Sequence, residues 1–231
     1  MRDHFLKIAL VFGLGTSISG PVPAVAQARM SGQSRPALSA ADKELLKRVD
    51  THYNQLASLR CRYVERYTGM GMTRSESGTL LLKKPGRMLW QYDSPAGKEF
   101  VLDGKFAYFF TPGDAQAQRI PAKELDDLRT PLRFLLGHTE LARELSGITV
   151  IAADGGFSIT GVPRGMEGKI QALSVTVTPM GVITGMKIEE TDGATTDFAF
   201  SSIEENVPTR DGDFTFTAPA GVTIVNGGAP I

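Results

Sequence analysis

The sequence predicts an α+β fold: one large antiparallel β-sheet, with helices confined to its N-terminal end and to a single insert in the middle of the chain. Three observations predict it. Apolar and polar residues alternate at period two over most of the chain from residue 59 onward. Pro-Gly, Asp-Gly and similar turn signals cut that alternation into pieces of strand length. Helical periodicity occurs only at 39–57 and 121–145. Many strands with segregated helices make an antiparallel sheet with its helices on one face or end.

The first 26 residues are expected to be removed. Arg2 and Lys7 precede a short apolar run at 8–18 (IALVFGLGTSI), and Ala24-Val25-Ala26 offers a small-residue cleavage pattern, the layout of a secretory signal peptide. The run is well short of the roughly 20 apolar residues that span a membrane. No cysteine stands at the cleavage point to carry a lipid, and no second long apolar stretch follows. Residues 27–38 read as a flexible lead-in, 39–225 as a single domain and 226–231 (NGGAPI) as a tail.

The domain opens with an amphipathic helix at 39–57. Ser39 and Asp42 form a capping pair, and Leu45, Val49, His52, Tyr53 and Leu56 share one face. The period then changes. In 59–67 (LRCRYVERY), Leu59, Cys61, Tyr63 and Tyr67 alternate with Arg60, Arg62 and Arg66, and 77–84 (SGTLLLKK) returns as the next strand. After Pro85-Gly86, Met88, Trp90 and Tyr92 alternate, and Asp103-Gly104 divides 98–110 (KEFVLDGKFAYFF) into a hairpin. Residues 53–110 hold ten of the eighteen aromatics, more than a sheet-on-helix core requires. The insert at 121–145 reads as two or three short helices, its apolar residues Leu125, Leu128, Leu132, Leu135, Leu136, Leu141 and Leu145. Strands resume at 148–152, 156–162, 169–178, 182–190, 194–203 and 213–217.

Composition excludes more than it suggests. The chain has 231 residues, 42% hydrophobic and 22% charged, an ordinary globular balance. Basic and acidic residues number 25 each, without the basic excess of a nucleic-acid binder. One cysteine precludes an intramolecular disulfide and any multi-thiolate metal site. With three histidines and no nucleophile elbow, zinc-protease motif, phosphate loop or dinucleotide fingerprint, no enzyme, cofactor or metal is expected. His52 reads as a packing or lid contact, His138 as a partner of helix-terminal carbonyls, and Cys61 as a small buried hydrophobe. The basic stretches at Arg60, Arg62, Arg66 and Lys83-Lys84 read as the solvent side of the sheet.

The aromatic face must be covered, and only the helices at 39–57 and 121–145 are available to cover it. Glycine and proline breaks suit the second to a movable lid. An apolar space beneath such a lid fits an acyl chain, each buried methylene contributing about 0.8 kcal/mol. From periodicity alone, a dry core that binds nothing explains the pattern equally well.

Four segments in order then resemble the periplasmic outer-membrane lipoprotein carrier family, LolA: 78–95 (GTLLLKKPGRMLWQYDSP), 101–105 (VLDGK), the T-P-L-x-x-L-L-G at 130–137, and 213–222 (DFTFTAPAGV). The resemblance implies an incomplete β-barrel closed by a helical lid over a hydrophobic cavity. It implies a monomeric periplasmic chaperone that takes acylated lipoproteins from an inner-membrane ABC transporter to a lipid-anchored acceptor at the outer membrane. The expected cavity face is Tyr63, Leu80, Leu82, Met88, Trp90, Tyr92, Phe100, Leu102, Phe106 and Tyr108, with Leu125, Leu128, Leu132, Leu135 and Leu136 on the lid. For 100–110 the larger residues are taken as inward, a choice open to an error of one register. The family often has arginine before the proline of the turn, bonded to lid backbone. Here that position is Lys84, and lid fastening falls to Lys84 or to Arg87. Two alternatives stand beside this reading: a half-barrel lipid-binding or envelope-sensor module, and an acyl-chain enzyme using Cys61 and His52.

Overall fold

The structure is a computed structural model that describes residues 37–125 and 140–227. Helix α1 (Ala40–Gln55) starts as its sequence dictates. The Ser39 hydroxyl accepts from the Asp42 amide at 3.1 Å, and the Asp42 carboxylate accepts from the Ser39 amide at 2.9 Å. Two otherwise orphaned amides are thereby satisfied. Leu45, Leu46, Val49 and Tyr53 form its buried face.

Among the described residues twelve strands follow: β1 (Ser58–Gly69), β2 (Met72–Lys83), β3 (Arg87–Ser94), β4 (Ala96–Leu102), β5 (Phe106–Phe110), β6 (Gln116–Pro121), β7 (Leu145–Ala153), β8 (Gly156–Pro163), β9 (Ile170–Val177), β10 (Ile183–Glu190), β11 (Thr195–Glu205) and β12 (Thr223–Asn226). They form one sheet in the order β12-β6-β5-β4-β3-β2-β1-β11-β10-β9-β8-β7. All neighbours are antiparallel except β12 and β6. The two outer strands, β7 and β12, are edges, so the barrel is incomplete.

The sheet is strongly curled. Trp90 on β3 and Phe198 on β11 are three strand spacings apart, roughly 14 Å along a flat sheet. Their ring centroids nevertheless lie 5.7 Å apart. Gly78 on β2 allows the close approach of β3: a Cβ there would stand 1.9 Å from the Gln91 carbonyl oxygen. Register irregularities in β1/β11, β2/β3 and β3/β4 add local twist.

The two faces carry separate cores. The concave face and α1 share the larger one, which runs from Leu59 on β1 to Ile183 and Met186 on β10. On the convex face Leu81, Leu89, Val101 and Ala117 pack beneath Phe214 and Phe216, with Tyr108 and Phe110 alongside. This second core corrects one expectation. Residues 213–217 are not a strand: a 3-10 turn at Asp211–Phe214 leads into a strap across the sheet. Phe214 and Phe216 alternate because the strap buries one side, as a strand would. The edge pairing is made instead by β12, whose parallel ladder with β6 draws Thr223–Asn226 into the fold.

The expected helices of the middle insert fall largely outside the described residues, and only the two ends of the insert are seen. A 3-10 turn occupies Ala122–Leu125, and a single helical turn Leu141–Glu144 runs directly into β7 at Leu145. Leu128, Leu132, Leu135, Leu136 and His138 lie outside the described residues, as do the expected signal peptide, most of the lead-in and most of the tail.

Candidate functional site

The concave interior is the candidate site. Alternation brings Leu59, Cys61 and Tyr63 from β1 to its lining, with Leu80 and Leu82 from β2 and Met88, Trp90 and Tyr92 from β3. Phe100 and Leu102 complete the lining from β4. Eight of the ten residues singled out in the sequence thus share this surface. Phe106 and Tyr108 do not. On β5 the inward residues are Ala107 and Phe109, and the Phe109 ring lies 4.7 Å from that of Phe100. Tyr108 stacks on Phe216 of the strap at 5.3 Å, and Arg119 sits over the Phe106 ring at 4.8 Å. Both faces of β5 are apolar, so side-chain size does not indicate the inward one.

The rings are locked edge to face. Tyr63 meets Trp90 at 4.4 Å and Tyr92 at 5.6 Å. The Trp90 indole N–H donates to the Met88 sulfur at 2.6 Å.

Helix α1 packs over one end of the interior and is tied to its surroundings by polar contacts of several side chains. The Tyr53 hydroxyl accepts from the Ile183 amide at 3.0 Å. Arg48 donates to the Pro179 carbonyl at 2.5 Å, and His52 pairs with Glu205 at 2.8 Å. Asp50 accepts from the Leu141 amide at 3.0 Å, which ties α1 to the end of the middle insert. Gly181, at φ +88°, lets its turn approach the helix: a Cβ there would lie 3.2 Å from the Val49 nitrogen. Lys84 donates to the Tyr53 carbonyl near the C-terminal end of α1, and burial lowers the pKa of its ammonium. Arg87, the other fastening candidate, binds Asp211 at 3.0 Å instead. With Lys83 on the same carboxylate, it holds the strap's 3-10 turn. Its strand position on the rim turns it toward that segment.

Between Tyr53 and the sheet lie two spaces of about 10 Å³ each, one beside Cys61 and Phe200 and the other beside Leu82 and Lys84. Each has room for about one water, whereas small-molecule sites run to about 300–1,000 Å³. With α1 docked, the interior near Tyr53 is filled.

Away from α1 the lining turns polar. Glu65 and Glu76 face each other across β1 and β2, both almost fully buried. Glu76 is clamped between Lys98 at 2.6 Å and Arg74 at 3.2 Å. The Lys98 ammonium also lies 4.3 Å from the centre of the Tyr92 ring. Burial, then the Glu76 charge, pushes the Glu65 carboxyl up to about 7. Sequence reasoning missed this cluster, although the parity of 59, 61, 63, 65 and 67 puts Glu65 inward.

The thiol–imidazole alternative finds no support in the geometry. His52 is committed to Glu205, and burial pushes the Cys61 thiol up to about 12, far from a reactive thiolate. Among the described residues no His, Cys, Asp and Glu cluster could hold a metal ion, and no helix is long and apolar enough to cross a membrane.

Comparison with known proteins is consistent with this architecture. The family model "Outer membrane lipoprotein carrier protein LolA" matches residues 58–217, from the first residue of β1 into the strap. The chain belongs to the LolA family. Two relatives named outer-membrane lipoprotein carrier protein are those of Sodalis glossinidius and Pectobacterium carotovorum. The first is 29% identical over 187 residues, 80% of this chain and 88% of the relative. The second is 26% identical over 189 residues, 80% of this chain and 90% of the relative. A solved LolA superfamily protein from Nitrosomonas europaea is 13% identical, covers 75% of this chain and 97% of its own, and has a TM-score of 0.43. The matched span of the LolA model includes the interior lining of β1 to β4, the Lys84 turn and both strap phenylalanines, but leaves out α1.

Proposed function

We propose that this protein is a periplasmic carrier of acylated lipoproteins. Its concave interior shelters their acyl chains between an inner-membrane ABC transporter and a lipid-anchored acceptor at the outer membrane. The observation that carries the reading is the apolar core shared by the concave face and α1 in a LolA-family barrel, with α1 tied over it through Tyr53, Asp50 and Lys84. The expected lining residues Tyr63, Leu80, Leu82, Met88, Trp90, Tyr92, Phe100 and Leu102 are the proposed acyl contacts. The interior beside Tyr53 is filled while α1 is docked, so cargo enters as α1 swings out and replaces helix-to-sheet contacts with chain-to-sheet contacts. The chemistry is binding and release, and the chain's one thiol is protonated and buried. The protein acts as a monomer after loss of residues 1–26.

Native mass spectrometry of the mature protein mixed with a purified triacylated lipoprotein tests this. A one-to-one complex that a fluorescent acyl probe displaces is the expected result. Failure to bind either the lipoprotein or the probe would leave the interior a dry core and overturn the proposal.

A further inference from the structure

Resting on the carrier reading, we propose that Trp90, braced by Tyr63 and Phe198, is the floor of the acyl site and sets the length of chain that the protein holds best. Five rings meet in series across the interior. Tyr92 lies 5.6 Å from Tyr63, Tyr63 4.4 Å from Trp90, Trp90 5.7 Å from Phe198 and Phe198 6.1 Å from Phe200, centre to centre. All five are buried, and they belong to β1, β3 and β11, so the belt bridges strands that the sheet order separates. The indole N–H bond to the Met88 sulfur at 2.6 Å fixes the plane of the Trp90 ring. Gly78 lies opposite Tyr63 on β2 and leaves that ring its place: a Cβ there would stand 2.9 Å from the Tyr63 hydroxyl.

The two sides of this belt differ in what they offer a hydrocarbon. On the α1 side the lining is Leu59, Cys61, Leu80 and Leu82, and the space beneath Tyr53 reaches as far as Phe200. On the other side Glu65 and Glu76 face each other across β1 and β2, with Lys98 bound to Glu76. A methylene beside these charges would replace polar surroundings with hydrocarbon, which is unfavourable. A chain that takes the place of Tyr53 therefore runs from the α1 end to the belt and stops there. Tyr63 and Leu59 are four residues apart on β1, about 13 Å. An extended zigzag of carbon–carbon bonds of about 1.5 Å advances about 1.25 Å per carbon, so roughly ten carbons fill that length.

Saturated fatty acids from octanoic to octadecanoic acid, each competing with a fluorescent acyl probe, test the floor. In the unaltered protein each added methylene should strengthen displacement about fourfold, the 0.8 kcal/mol of one buried CH2, until the chain meets the rings. Past that length, expected near dodecanoic acid, affinity should level off. Trp90→Ala opens the floor and should move the break to tetradecanoic acid or beyond. Phe198→Leu removes the ring that braces Trp90 from β11 and should move the break the same way; it decides the matter if circular dichroism shows Trp90→Ala unfolded. Leu82→Ala, on the α1 side, should weaken every acid and leave the break in place. A steady gain up to octadecanoic acid in the unaltered protein, or a break that stays put in the folded floor variants, overturns the floor. Displacement of the probe by none of the acids overturns the carrier reading itself.

Discussion

The bond between Lys84 and the Tyr53 carbonyl is the place to test whether cargo passes beneath α1. Lys84→Met keeps the aliphatic stem and removes the ammonium. A hydrogen bond to a charged group contributes about 1.5–3 kcal/mol, including what a cation gains at a helix C-terminus. Desolvation of the ammonium works against it, as its lowered pKa records, so the lower end of that range applies. About 1.4 kcal/mol is a factor of ten in the equilibrium between docked and undocked α1. If binding requires the undocked state, apparent affinity and association rate both scale with its population. Stopped-flow mixing with a fluorescent acyl probe should therefore show association about ten times faster in Lys84→Met. Amide exchange in α1 should accelerate by a similar factor. Faster exchange in α1 with an unchanged association rate would refute the reasoning, because entry would then not depend on this helix.

Three further outcomes are expected. Burial holds Glu65 and Glu190 at about 7, well above the usual carboxylate value of 4.5, so their protonated forms stabilise the fold at low pH. That contribution is complete below about pH 4.5 and is lost as pH rises through about 7. Stability measured by urea unfolding should fall across this window, and Glu65→Gln should flatten the fall; an unchanged slope in that variant would dismiss Glu65 as its source. Cys61, with its thiol pushed up to about 12, should resist thiol reagents at pH 8 except through opening of the fold. Labelling should be faster in Lys84→Met, and equal rates in folded and urea-unfolded protein would contradict the burial of Cys61. Phe214→Ala empties a fully buried position of the convex core and should destabilise the protein by about 3–5 kcal/mol, measured by urea unfolding, without changing acyl affinity. A matching loss of acyl affinity at temperatures where the variant is folded would mean that the two cores are not independent.

The sequence by itself determined the elements whose signals are local. The Ser39 and Asp42 capping pair begins α1 because both bonds close within four residues. The parity of β1 to β4 groups Tyr63, Leu80, Met88, Trp90 and Phe100 on one surface because side chains of a pleated strand alternate wherever it lies. Tertiary structure alone decided which surface that was along β5. Alternation specifies which residues share a face, not which face is inside, and the strap at 207–222 gives the convex side an apolar core of its own. The same strap turned the Phe214 and Phe216 repeat from an apparent strand into a cover, and β12 into an edge strand paired with β6. Distance in the chain explains the rest. Lys84 reaches a carbonyl 31 residues earlier, Arg87 a carboxylate 124 residues later, and Glu76 shares its charge with Lys98, 22 residues on. These partners are brought together by the curl of the sheet, which no local pattern encodes.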